Sequence, residues 1–285
     1  MRPFALCAFF MISCATNRFV ADHSISVIDD QTKAFFRESS LIFAGQAAPS
    51  MLKMLDGLII SSPKNKALLV RGAHLYCGYA MILVEDEDKE LAVLLYRKGY
   101  HYALRALKRV VKDFDRLLKG DPDEMQKALE NLDSKEVPAV FWAGACLAGY
   151  INLNLDDADA LADIPKMLAF ARAALALDER YFYAAPHFLL GTYFGSVGEA
   201  FGGNPAASKE HFHRHFALTE GKFLLGKVYY AKSYLVQTQA KEEFRKVLQE
   251  VLEAQIDVDP DAALANQAAK RKASALLERI DDIFP

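Results

Sequence analysis

Phe188-Leu189-Leu190-Gly191 recurs as Phe223-Leu224-Leu225-Gly226, thirty-five residues further along the chain. Aromatics follow each copy, Tyr193-Phe194 and then Tyr229-Tyr230. Each copy is preceded by an apolar-periodic stretch carrying Phe-x-Arg, as Phe170-Ala171-Arg172 and Phe212-His213-Arg214. Glycine inside a helix costs about 1 kcal/mol relative to alanine. Its return at one place in a periodic segment therefore marks a close approach of two helices. A helical unit of this length cannot bury its apolar face alone and is stabilised by stacking on its neighbours.

Leu190-Gly191-x2-Phe194 and Leu225-Gly226-x2-Tyr229 fill the L-G-x2-Y part of the tetratricopeptide pattern, whose period is about 34 residues. Ala174-Leu175-Ala176-Leu177-Asp178 reads as the end of a second repeat helix. Trp142 and Cys146 suit the Trp and Gly slots of an earlier, looser copy, with an insertion near 156–163 interrupting the array. Working outward, helical periodicity runs through 25–44, 49–60, 64–84, 88–119, 136–153, 157–177, 185–200, 205–219, 221–237, 239–255 and 260–282. Breakers separate these spans: Ser62-Pro63, Gly120-Asp121-Pro122, Pro138, Gly202-Gly203-Asn204-Pro205 and Asp259-Pro260, with proline near first helical positions. The expectation is an all-α fold of stacked tetratricopeptide-like hairpins, an α-solenoid of about 10–12 helices, in one domain over 25–285. Ala67 to Val84 is apolar apart from Arg71 and His74 and reads as a buried helix rather than a membrane span.

Composition narrows the function. Of 285 residues, 52% are apolar and 25% charged, which is globular usage, and the net charge of −3 offers no basic excess for nucleic acid. Gly-x-Ser-x-Gly, a Gly-rich phosphate loop and H-E-x-x-H are all lacking, so no enzymatic chemistry and no cofactor is expected.

Met1-Arg2-Pro3 followed by apolar Phe4 to Ile12 has the form of a secretory signal, too short to span a bilayer. Met11-Ile12-Ser13-Cys14 looks like a bacterial lipobox, making 1–13 the signal, Cys14 the lipidated residue and 14–24 a polar tether. The mature chain then keeps Cys77 and Cys146. A disulfide is allowed in an exported protein; the reading adopted is two small buried residues at tight helix crossings.

In hairpins of this kind the first helix lines a concave groove through its fifth, ninth and twelfth positions, one helical face. The two clear copies give Phe188, Thr192 and Gly195, then Phe223, Lys227 and Tyr230; the looser copy gives Ala143, Leu147 and Tyr150, with Trp142 itself also placed in the groove. Such a groove is apolar and aromatic with one cation, Lys227, and suits a ligand with an oily body and one acidic group. The competing reading makes the aromatics core. Arg71 interrupts an apolar helix one turn from His74; a structural ion pair is the favoured reading, a ligand carboxylate the alternative. His211 and His215 share a helix face without a third ligand, so no metal is expected. Glu85-Asp86-Glu87-Asp88 lies at a helix junction and favours the next helix's N-terminus.

From about Met51 to Phe284 the chain resembles the T-component family of tripartite ATP-independent periplasmic (TRAP) transporters. The residues carrying the resemblance begin with Val140-Phe141-Trp142-Ala143, Leu161-Ala162-Asp163-Ile164-Pro165-Lys166, Ala174-Leu175-Ala176-Leu177-Asp178 and Tyr181-Phe182-Tyr183. They continue through His187-Phe188-Leu189-Leu190-Gly191, Phe201-Gly202-Gly203-Asn204-Pro205 and Phe223-Leu224-Leu225-Gly226-Lys227-Val228-Tyr229-Tyr230-Ala231. Ala265-Asn266-Gln267 and Arg279-Ile280-Asp281-Asp282-Ile283-Phe284 complete the match, while His213 and His215 stand where Glu and Ala are common. The resemblance implies a non-enzymatic periplasmic lipoprotein, at the outer membrane rather than the inner, that docks the substrate-binding P component. It further implies a hydrophobic organic acid as ligand and a homo-oligomer, a trimer. The alternative is a helical adaptor for another envelope complex that holds no small molecule.

Overall fold

The turn signals become caps in the structure, a computed structural model that describes residues 16–199 and 202–284. The signal segment 1–13 and Cys14 lie outside the described residues. Helix α1 covers 16–23, followed by α2 (Ile25–Phe36), α3 (Leu41–Ser61) and α4 (Lys66–Tyr79), which runs on as a π-helical turn, Ala80–Val84. Next come α5 (Lys89–Leu107), α6 (Phe114–Lys119), α7 (Pro122–Glu130) and α8 (Val137–Asn152). Helices α9 (Ala158–Ala162), α10 (Ile164–Leu177), α11 (Tyr181–Ser196) and α12 (Pro205–Thr219) precede α13 (Leu225–Tyr230), which also ends in a π turn, Ala231–Leu235. The chain closes with α14 (Lys241–Glu253), α15 (Ala263–Glu278) and α16 (Ile280–Ile283). The fold is all-α, 80% helical, with no strand among the described residues.

Ser40, Asn65, Asp88, Asp121 and Asn204 each accept a backbone N–H at the start of their helix, and Pro122 and Pro205 occupy first-turn positions where the missing N–H costs nothing. Among the described residues the fifteen α-helices from Ile25 onward exceed the 10–12 expected, because short turns divide long periodic spans. The expected 88–119 splits where Asp113 takes a positive φ of 53°. The expected 157–177 splits at Asp163, and α7 was not expected because its apolar face is only Met125 and Leu129. Residues 16–23, part of the expected tether, are helical, and Asp22 accepts from Ser62 Oγ (2.5 Å) and Asn65 Nδ2 (2.8 Å).

Helices pack as consecutive hairpins, α4 with α5, α8 with α10, α11 with α12, and α13 with α14. Lys66–Val84 has the length and apolarity of a membrane span, yet Leu68, Leu69, Leu75, Tyr76 and Ile82 are buried in the protein core. Helix α15 then packs on α13 and α14 and also on α2, α3 and the π turn after α4, so the array closes into a ring. Lys272 bonds Glu85 (3.0 Å) and Asp86 (2.5 Å), Arg271 bonds Glu87 (2.6 Å) and the Ile82 carbonyl (3.1 Å), and Arg37 bonds Asp261 (2.5 Å). The acidic run thus divides its work: Asp88 caps α5, and the three residues before it fasten α15.

Candidate functional site

Closing the ring leaves a cavity of roughly 480 Å³, walled by α4, α5, α8, α10, α11 and α13. Its wall is mostly apolar, with Met81, Trp142, Phe182, Phe188, Phe223 and Tyr229 among the larger side chains. That volume and lining are those of small-molecule pockets.

Five of the expected groove residues line it: Trp142, Phe188, Thr192, Gly195 and Phe223. The Trp142 indole donates to Tyr181 Oη (3.0 Å) and stacks on His74, ring centroids 4.5 Å apart. Phe223 stacks on Tyr183 at 4.8 Å, while the Thr192 hydroxyl donates to its own helix at the Phe188 carbonyl (2.8 Å). A left-handed turn sets up this wall. Phe182, Tyr183 and Ala184 have φ of 44°, 60° and 51°, conformations costly for residues with a Cβ. The turn places Phe182 against Trp142 and His74 before right-handed helix resumes.

The remaining expected residues lie elsewhere. Lys227 pairs with Glu250 (2.7 Å), and Tyr230 is buried among Phe212, Phe216 and Tyr234 with its hydroxyl on Glu243 (3.0 Å). Tyr150 is half-buried against the core, and Arg71 makes a two-pronged ion pair with Asp29 (2.6 and 2.5 Å). The cause is helix rotation, since one residue of register turns a face by about 100°. On α13 and its π turn the cavity face is Tyr229, Lys232, Ser233 and Val236; on α8 it is Trp142, Ala145, Gly149 and Asn152.

Among the described residues two charged side chains line the cavity, Glu85 and Lys232. Glu85 accepts from Tyr96 Oη (2.5 Å), Tyr229 Oη (2.7 Å) and Lys272 Nζ (3.0 Å), so its charge is neutralised within the wall. Burial first, and then the Glu85 carboxylate, push both tyrosine hydroxyls well above their ordinary range. Lys232 is exposed, lies 5.7 Å from the Tyr229 ring centroid, and forms no ion pair with a carboxylate among the described residues. It replaces Lys227 as the cation of the site. The sequence signal for it was its place one turn beyond Tyr229.

Cys77 on α4 and Cys146 on α8 form a disulfide, Cα atoms 5.5 Å apart, which corrects the reading of two unlinked small residues. They meet beside Gly99 of α5, where a Cβ would run into Cys77 Sγ and lie 3.1 Å from Cys146 Sγ. Cys77 also lines the cavity. His211 turns away from His215 to face His187, Nδ1 to Nδ1 at 2.9 Å, while Glu179 bonds His187 (3.2 Å) and Arg214 (2.5 Å). Among the described residues no group of three or more His, Cys, Asp or Glu converges as a metal site.

Residues 37–284 match the family model described as TRAP transporter T-component. The chain is also 24% identical over 285 residues to an uncharacterised protein of Treponema pallidum, covering 90% of this chain and 84% of that protein. With the match running through every hairpin that walls the cavity, the chain belongs to the TRAP transporter T-component family.

Proposed function

We propose that this TRAP transporter component is an exported lipoprotein that docks the periplasmic substrate-binding P component and takes a hydrophobic organic acid into its central cavity. The observation that carries this reading is the cavity itself: an apolar hollow of roughly 480 Å³ whose charged lining is a neutralised glutamate and Lys232, which has no carboxylate partner among the described residues. An oily body fills the space between Trp142, Phe188 and Phe223, and a carboxylate reaches Lys232.

The role is binding, not catalysis. Support for export comes from the Cys77–Cys146 disulfide, since such bonds persist in oxidising compartments. Cys14 carries the lipid after removal of 1–13 and holds the chain on the periplasmic side of a membrane, the outer rather than the inner. Native mass spectrometry of the mature chain with its P component tests the docking. The expected result is a stable complex with one P component per chain; the two proteins passing through unassociated, at micromolar concentration, overturns it.

A further inference from the structure

We infer that α1 is not a tether but a membrane-contacting face, which seats the ring directly on a lipid bilayer. This rests on Cys14 being the lipidated residue. Phe19 and Val20 on α1 are 61% and 53% exposed, and Ile60, two residues before the Ser62 that holds Asp22, is 80% exposed. The helix cannot swing freely, because its Asp22 is held by Ser62 and Asn65 and its Ala21 is buried.

Chain length selects the occupant. A single residue, Ala15, separates Cys14 from Thr16, the first described residue of α1. Two extended steps reach at most about 7 Å, and three helical residues add about 4.5 Å. Phe19 therefore lies within about 12 Å of the lipid attachment point, close enough for its ring to reach the headgroup–acyl boundary into which interfacial helices sink their apolar side chains by about 5–10 Å. Exposed Lys64 in the turn between Ser62 and Asn65, and exposed Arg18, whose own-helix partner Asp22 (3.6 Å) also bonds Ser62, suit anionic headgroups at that corner. The surface fits a bilayer, with the lipid as one attachment and the aromatic face as the second. An anchor of this kind holds the ring at a defined orientation instead of leaving it on a flexible leash.

The test uses the full chain, processed in cells and purified, carrying Phe19→Trp and mixed with phosphatidylcholine–phosphatidylglycerol vesicles whose acyl chains are brominated. Val20→Trp serves as the second variant. With lipid mass confirmed on Cys14, the emission each variant adds to the parent's falls at least twofold, while the parent's Trp142 emission is unchanged. Lipid on Cys14 with no added quenching in either variant overturns the inference and leaves lipid anchoring standing. Absence of lipid on Cys14 overturns the anchoring reading, and the inference with it. A blue-shifted emission before vesicles are added, with a doubled native mass, shows a second copy covering the face and likewise overturns it.

Discussion

Gly191 and Gly226 press on the same helix: a Cβ on Gly191 would lie 3.0 Å from the Phe212 ring, and one on Gly226 would run into the His215 imidazole, one turn further along α12. Gly191 meets the helix that follows it, Gly226 the helix that precedes it. The two Phe-Leu-Leu-Gly copies therefore flank one helix and are not interchangeable. Gly191→Leu is expected to lower stability by about 1–3 kcal/mol through overpacking. Gly226→Ala is expected to cost a similar amount and to be rescued by His215→Ala, as read by a double-mutant cycle in urea.

The disulfide crosses α5 where Gly99 leaves room for it. Gly99→Ala is expected to destabilise by about 1–3 kcal/mol. Replacing Cys77 and Cys146 by alanine opens a loop of 69 residues' separation and is expected to cost about 2–4 kcal/mol. In the cysteine-free background the Gly99→Ala penalty shrinks, and thermal melts of the four proteins check it.

Ring closure depends on Lys272, whose side chain is 8% exposed beside Glu85 at 7%. Lys272→Met leaves a buried carboxylate without its cation and is expected to cost about 3–5 kcal/mol. Hydrogen exchange should rise in α15 and in the turn before α5, with α8 and α10 less affected.

Acid destabilisation should begin near neutrality. Burial, with Arg71 adding to it, holds His74 down at about 3, and burial holds His215 down at about 4. In the unfolded chain both take up a proton below about 6.5, whereas the folded chain keeps them neutral. Stability is therefore insensitive to these groups above 6.5 and falls as pH drops below it, by up to about 1.4 kcal/mol per pH unit for each histidine. Urea midpoints between pH 7.5 and 4.5 measure the slope. His74→Phe, which keeps a ring between Phe36 and Trp142, should flatten it.

Helix boundaries were legible where the chemistry is local, as at Asp121-Pro122 and Asn204-Pro205, where cap and proline are adjacent. The cavity was legible on α11, whose straight register carries Phe188 and Thr192 to the wall. It was not legible on α13, where Gly226 packs on the helix before it rather than the helix after it, so Tyr229 and Lys232 rather than Lys227 face the cavity. Contacts between distant residues left no local mark. Nothing near Cys77 points to Cys146, and nothing in Glu85-Asp86-Glu87 names Lys272, almost two hundred residues away.

A calorimetric titration with decanoate, as a simple apolar acid, tests the central claim most directly. The account predicts one site per chain with a negative heat-capacity change, abolished by the cavity-filling Thr192→Trp and weakened about tenfold by Lys232→Gln. Lys227→Ala, which removes a cation outside the cavity, leaves the affinity unchanged. Binding that survives both Thr192→Trp and Lys232→Gln, or no binding to the wild-type chain at millimolar decanoate, would contradict it.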